Sequence, residues 1–148
     1  MTSLEAISLA TLLSGTLDLT ATSTLLRSQG VPVRRLLQTI ASGALGASSF
    51  QGGKKTAFAG LLFHFFIAFL ASVVYYASSR KLRALLTHPL ISGVIYGAAV
   101  HLVMSRAVLP LSAAPKREFS PKTFLTQLII HILCVGLPIA LVVSHLTQ

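Results

Sequence analysis

Asp18, His64, His101 and His131 each stand inside a long apolar stretch, where an ionisable side chain is expensive to keep and usually faces protein or an internal cavity. Three chemistries suit one carboxylate and three imidazoles. Neutral His64, His101 and His131 can ligate a transition metal with Asp18 compensating its charge, although no HxxxH or ExxH pair fixes a geometry. Two of the histidines can hold haem b, because small glycine-bearing helix faces admit a porphyrin edge. The same residues can handle protons without any cofactor. Against all three stands a plainer role: a membrane histidine is often only an interhelical hydrogen-bonding residue, worth about 1 kcal/mol or less. No nucleophile and base pair, phosphate loop or acidic pair for hydrolysis is visible, so an enzyme is not expected. Cys134, the single cysteine, reads as a small buried residue rather than a reactive thiol.

The stretches around these residues define their solvent. Of 148 residues, 53% are apolar and 10% charged, whereas soluble domains carry about one quarter charged residues. A mean hydropathy of +0.79 excludes an ordinary water-soluble globule. Four segments, about 4–26, 57–79, 89–110 and 123–146, reach the roughly 20 residues needed to cross a hydrocarbon core. The first is interrupted by Glu5 and Asp18 and is dense in Ser and Thr, which suit helix contacts inside a membrane. No Lys or Arg precedes it, so a span is expected there rather than a cleaved leader. Pro89 and Pro121 suit first helical positions, with Ser120 as N-cap, while Pro110 and Pro115 are expected to close the third span. The expected fold is one all-α domain, an integral membrane four-helix bundle.

Between the first two spans, residues 32–45 form an amphipathic pattern. Val33, Leu36, Leu37, Ile40 and Ala44 fall on one side, and Arg34, Arg35, Gln38 and Ser42 on the other. That pattern predicts a surface helix starting at Pro32, with Arg34 and Arg35 toward lipid headgroups. Eight basic residues flank this loop and the third (Arg27, Arg34, Arg35, Lys54, Lys55, Lys116, Arg117, Lys122), against Arg80, Lys81 and Arg83 in the second. The excess places loops one and three in the cytoplasm and both termini outside. The formal net charge of +9 comes without interleaved aromatic residues, so membrane lipids rather than nucleic acid are the expected partner. Further copies of the chain or other membrane subunits are open as partners, the second belonging to a reading of the chain as a structural or accessory subunit.

Depth and facing both group the four ionisable residues. With about 1.5 Å of rise per residue, Asp18 and His64 lie roughly 5–6 Å from the middle of their spans toward loop one. His101 and His131 are displaced by about 2 and 4–5 Å toward loop three, on the same side. At 100° per residue, Thr11, Gly15, Asp18 and Thr22 share a face, as do Gly60, His64, Ala68, Ala71 and Tyr75. Gly93, Gly97, His101 and Met104 make a third such face, and Gln127, His131, Cys134 and Pro138 a fourth. Phe58, Phe63, Phe65, Phe66 and Phe69 are left to supply lipid-facing bulk. Convergence of the four residues on one interior polar site is therefore expected.

A span with a mid-helix histidine (LLFHFFIAFLASVVYY), a basic turn, a Gly-rich span with histidine and a terminal proline (ISGVIYGAAVHLVMSRAVLPLSAAP), and a last span with LIIHILCVG follow one another. This arrangement, over about residues 57–140, resembles the YagU-like bacterial inner-membrane proteins. The resemblance implies a multi-pass protein of the bacterial inner membrane and points to His64, His101 and His131, but implies no reaction.

Overall fold

The computed structural model describes residues 2–116 and 118–147; Arg117, counted above among the basic residues, lies outside the described residues. The described chain is helical, without a strand, and four of its helices are long and apolar enough to cross a membrane. The elements are α1 (Ser3–Ser28), α2 (Val33–Leu45), a 3-10 segment (Gly46–Gln51), α3 (Gly53–Ser79), the short α4 (Ala84–Thr87), α5 (Pro89–Leu111) and α6 (Pro121–Thr147). The spans α1, α3, α5 and α6 make a four-helix membrane bundle, with α2 as the amphipathic surface helix.

Local chemistry sets the helix limits. Thr2 and Glu5 form a capping box: Thr2 Oγ1 accepts from the Glu5 amide at 3.3 Å, and Glu5 Oε2 accepts from the Thr2 amide at 2.8 Å. Glu5 is thereby a helix-end residue, and Asp18 is left as the acidic residue inside α1. Pro89 and Pro121 occupy first-turn positions, and Ser120 Oγ accepts from the Thr123 amide, as expected.

Pro110 does not end α5. The helix runs on to Leu111, with a π segment at Met104–Val108 ending two residues before the proline. A second π segment, His131–Gly136, precedes Pro138 in α6. Proline lacks an amide hydrogen and its ring crowds the carbonyl four residues back. A wider turn just upstream relieves that clash and lets the helix continue.

Packing divides the bundle into a solid and a hollow half. Ala10, Tyr75, Val135, Ile139, Ala140 and Val143 form the buried core, toward the ends of α3 and α6 away from α2. There Tyr75 Oη donates to the Leu85 carbonyl and Tyr96 Oη to the Ala71 carbonyl, with the two rings 4.9 Å apart. Gly93 and Gly97 lie against the π segment of α6 so closely that a Cβ at Gly97 would sit 2.6 Å from Ile132 Cα. Contact at this distance is how small residues hold membrane helices together without a hydrophobic driving force.

At the other end, α2 crosses against α3, and the carbonyl of Leu37 occupies the space a side chain at residue 60 would need. Gln38 and Ser42, expected on the outer polar side of α2, are buried instead. The 3-10 segment folds back to give that side its own partners. Gln38 Nε2 donates to the Gly53 carbonyl at 3.1 Å, Ser49 Oγ donates to the Gln38 carbonyl at 3.0 Å, and Thr56 Oγ1 donates to the Ser49 carbonyl at 2.6 Å. The Ala113 amide donates to the Gly43 carbonyl, so α2 also touches the loop after α5.

The outer surface is apolar. Phe58 is 60% and Phe66 58% exposed, facing the lipid as expected. Phe63 and Phe65 are only half-exposed. Phe65 lies over Gly15, where an added Cβ would come within 2.7 Å of its ring, because α1 and α3 approach closely at that glycine.

Candidate functional site

The hollow half contains a cavity of about 540 Å³, and Asp18, His64, His101 and His131 all stand on its wall. It is bounded by α1, α2, α3, α5 and α6. Its wall runs from Leu26, Arg35 and Leu109 at the α2 end to Ala71, Val100 and Val135 beside the packed core. The wall is mostly aliphatic, with hydroxyl and amide groups from Thr22, Thr39, Ser105, Thr123 and Gln127. Such a volume and such a lining are typical of a small-molecule site.

Two of the four residues are held by backbone. His64 Nε2 lies 2.8 Å from the Gly15 carbonyl of α1. A carbonyl only accepts, so this nitrogen carries the hydrogen and ties α3 to α1. His131 Nδ1 lies 2.8 Å from the Gln127 carbonyl one turn back and donates in the same way. His131 is also the first residue of the π segment, so Pro138 influences where its ring stands.

The other two are not satisfied. Asp18 Oδ1 and His101 Nε2 are shielded from solvent and have no hydrogen-bond partner among the described residues. His101 is 5% exposed, its ring 4.6 Å from that of Phe124 and 5.1 Å from that of His131. Orphaned polar atoms of this kind are rare in folded proteins because each costs about 1–3 kcal/mol.

All four residues thus border one cavity. Within it, His101 and His131 are paired in space, while His64 is engaged with Gly15. Among the described residues no group of three or more His, Cys, Asp or Glu side chains is arranged to hold a metal ion. The rings of His101 and His131 stand 5.1 Å apart, tilted by 57° to one another.

Arg34 and Arg35 separate. Arg35, expected at the headgroups with Arg34, is exposed and also borders the cavity, its guanidinium carbon 3.9 Å above the ring of Phe50. The 3-10 segment brings Phe50 under it, and cation–π attraction holds it there. Arg106 points to Phe119 and Phe124, at 5.7 and 5.6 Å, and is not part of the cavity wall. His88 and His145 are exposed at span ends. Sequence reasoning missed Ser14 and Thr39 on the wall, the Tyr96 bond that closes the packed end, and Gly136 as the counterpart of Gly93 and Gly97. The Gly136-x-x-x-Ala140 pattern was the available signal for the last of these.

Fold and site together define a multi-pass α-helical membrane protein with an internal, partly polar chamber. Comparison with protein-family models, with curated proteins and with solved structures yields no match.

Proposed function

We propose that the protein is a small-molecule-binding protein of the bacterial inner membrane, with both termini outside the cytoplasm and the chamber as its binding site. The membrane assignment draws on the basic-residue count and on the YagU-like placement of His64, His101 and His131. One observation carries the binding role: among the described residues Asp18 Oδ1 and His101 Nε2 have no hydrogen-bond partner at the wall of a cavity of about 540 Å³. A polar residue kept for stability makes its hydrogen bonds. One kept for a ligand leaves a bond open until the ligand arrives, and the empty protein is the less stable for it. His64 belongs to the first kind, since its bond to Gly15 joins two helices. Among the described residues no group of three or more candidate ligands is arranged for a metal ion, so the reading rests on the open polar groups instead. Proton handling uses the same two open groups but does not need a chamber of this size.

Thermal unfolding of the detergent-solubilised protein tests the reading by sign. Asp18→Asn, which removes the unpaired charge, and His101→Leu, which removes the unmet ring nitrogen, should both raise the melting midpoint, by the equivalent of about 1–3 kcal/mol. A midpoint at or below that of the parent chain in either variant returns the cluster to a structural role and overturns the proposal.

A further inference from the structure

Resting on that reading, we propose that the ligand class is a lipophilic monocation, an apolar body carrying one positive charge that Asp18 holds. Among the described residues Asp18 is the only acidic one on the cavity wall, and Arg35 is the only Lys or Arg. Arg35 sits at the α2 end with its guanidinium over Phe50. Asp18 lies ten residues before the end of α1, about 15 Å down the helix at 1.5 Å per residue.

As a carboxylate, Asp18 offers only acceptors, and the groups around it do not supply a charge to match. Neutral imidazoles contribute a donor and an acceptor each, and His64 and His131 have already spent their donors on the carbonyls of Gly15 and Gln127. A half-buried carboxylate with one oxygen shielded beside a mostly aliphatic wall is stabilised by an opposite charge more than it would be in water, because the surroundings screen less. A bare inorganic cation needs several oxygen ligands, as hard cations do, and one carboxylate among imidazoles does not provide them. An organic cation needs one counter-charge and apolar surface for its body. The wall beyond Asp18 provides that surface through Ile67, Ala68, Ala71, Val100 and Val135. His101 Nε2, 95% of whose residue is buried, adds one polar contact to the same ligand.

The probe is methyltriphenylphosphonium, titrated calorimetrically into the full chain in lipid nanodiscs, with neutral triphenylphosphine oxide as its uncharged counterpart. Saturable binding of the cation near one per chain is expected. Asp18→Asn should weaken it about tenfold or more, equivalent to about 1.4 kcal/mol, while Asp18→Glu, which keeps the charge, should restore most of the affinity. The phosphine oxide should not distinguish the parent chain from Asp18→Asn. Cation binding that is absent, or as tight in Asp18→Asn as in the parent, overturns the ligand class. If Asp18→Asn also melts higher than the parent, the chamber stands and only the monocation falls; if it melts lower, the chamber falls as well.

Discussion

At the scale of single residues, the same cavity wall contains side chains of opposite kinds. His64 donates to Gly15 across the α1–α3 interface, so His64→Leu should lower the melting midpoint by the equivalent of about 1 kcal/mol or less. Thermal unfolding in the same detergent as Asp18→Asn checks it, and the two variants should move in opposite directions. A rise for His64→Leu would mean that the Gly15 bond contributes nothing. That Asp18, His64, His101 and His131 belong to one interior was legible in the sequence, since polarity inside an apolar run and a 100° periodicity are both properties of the residue string. Which of them would be satisfied was not. That depends on whether a backbone carbonyl of another helix, or of a turn widened ahead of Pro138, happens to stand 2.8 Å away. The stacking of Arg35 was not legible for a similar reason, because it depends on the chain after α2 folding back to put Phe50 beneath it.

At the scale of elements, the span limits were readable because apolar length, Pro at first-turn positions and Ser120 as a cap act locally. The interior prolines were harder. Pro110 and Pro138 obey the rule that proline disrupts regular helix, yet each helix continues through a π segment instead of stopping. In α6 that segment ends at Gly136, which meets the backbone of Gly93 and Gly97. The widened turn and the close crossing thus occupy the same place, and the ring of His131 hangs from its first residue. Gly136→Ala should therefore cost about 1–3 kcal/mol through overpacking, whereas Gly43→Ala, whose added Cβ would stand an ordinary 3.9 Å from Ser112 Cβ, should be tolerated. Melting midpoints of the two variants give the comparison. Equal effects would show that the α5–α6 crossing is not a close backbone contact in the membrane.

At the scale of the whole molecule, the solid half lies toward the termini and the hollow half toward α2, so the side of the membrane on which α2 lies decides which compartment adjoins the chamber's α2 end. Alternation of the four spans puts loops one and three together, and the Ala113–Gly43 bond joins them. Eight basic residues flank that end, against three at the other. Not all eight are free to act as cytoplasmic anchors. Arg35 is over Phe50, and the Lys116 ammonium donates to the carbonyls of Leu109, Pro110 and Ser112 at the end of α5, where a cation is favoured by the helix dipole. Discounting both leaves Arg27, Arg34, Lys54, Lys55, Arg117 and Lys122 against Arg80, Lys81 and Arg83, and the excess keeps its sign. The chamber should accordingly lie in the cytoplasmic half of the bilayer. In a Cys134→Ala background, exposed Lys54 and Lys81 offer one reporter for each end. Lys54→Cys should react with a membrane-impermeant maleimide only when the cytoplasmic face is opened, and Lys81→Cys should react in intact spheroplasts. The reverse pattern would invert the molecule and turn the α2 end of the chamber outward, leaving the grouping of Asp18 with the three histidines untouched, because that grouping depends on the bundle and not on its orientation.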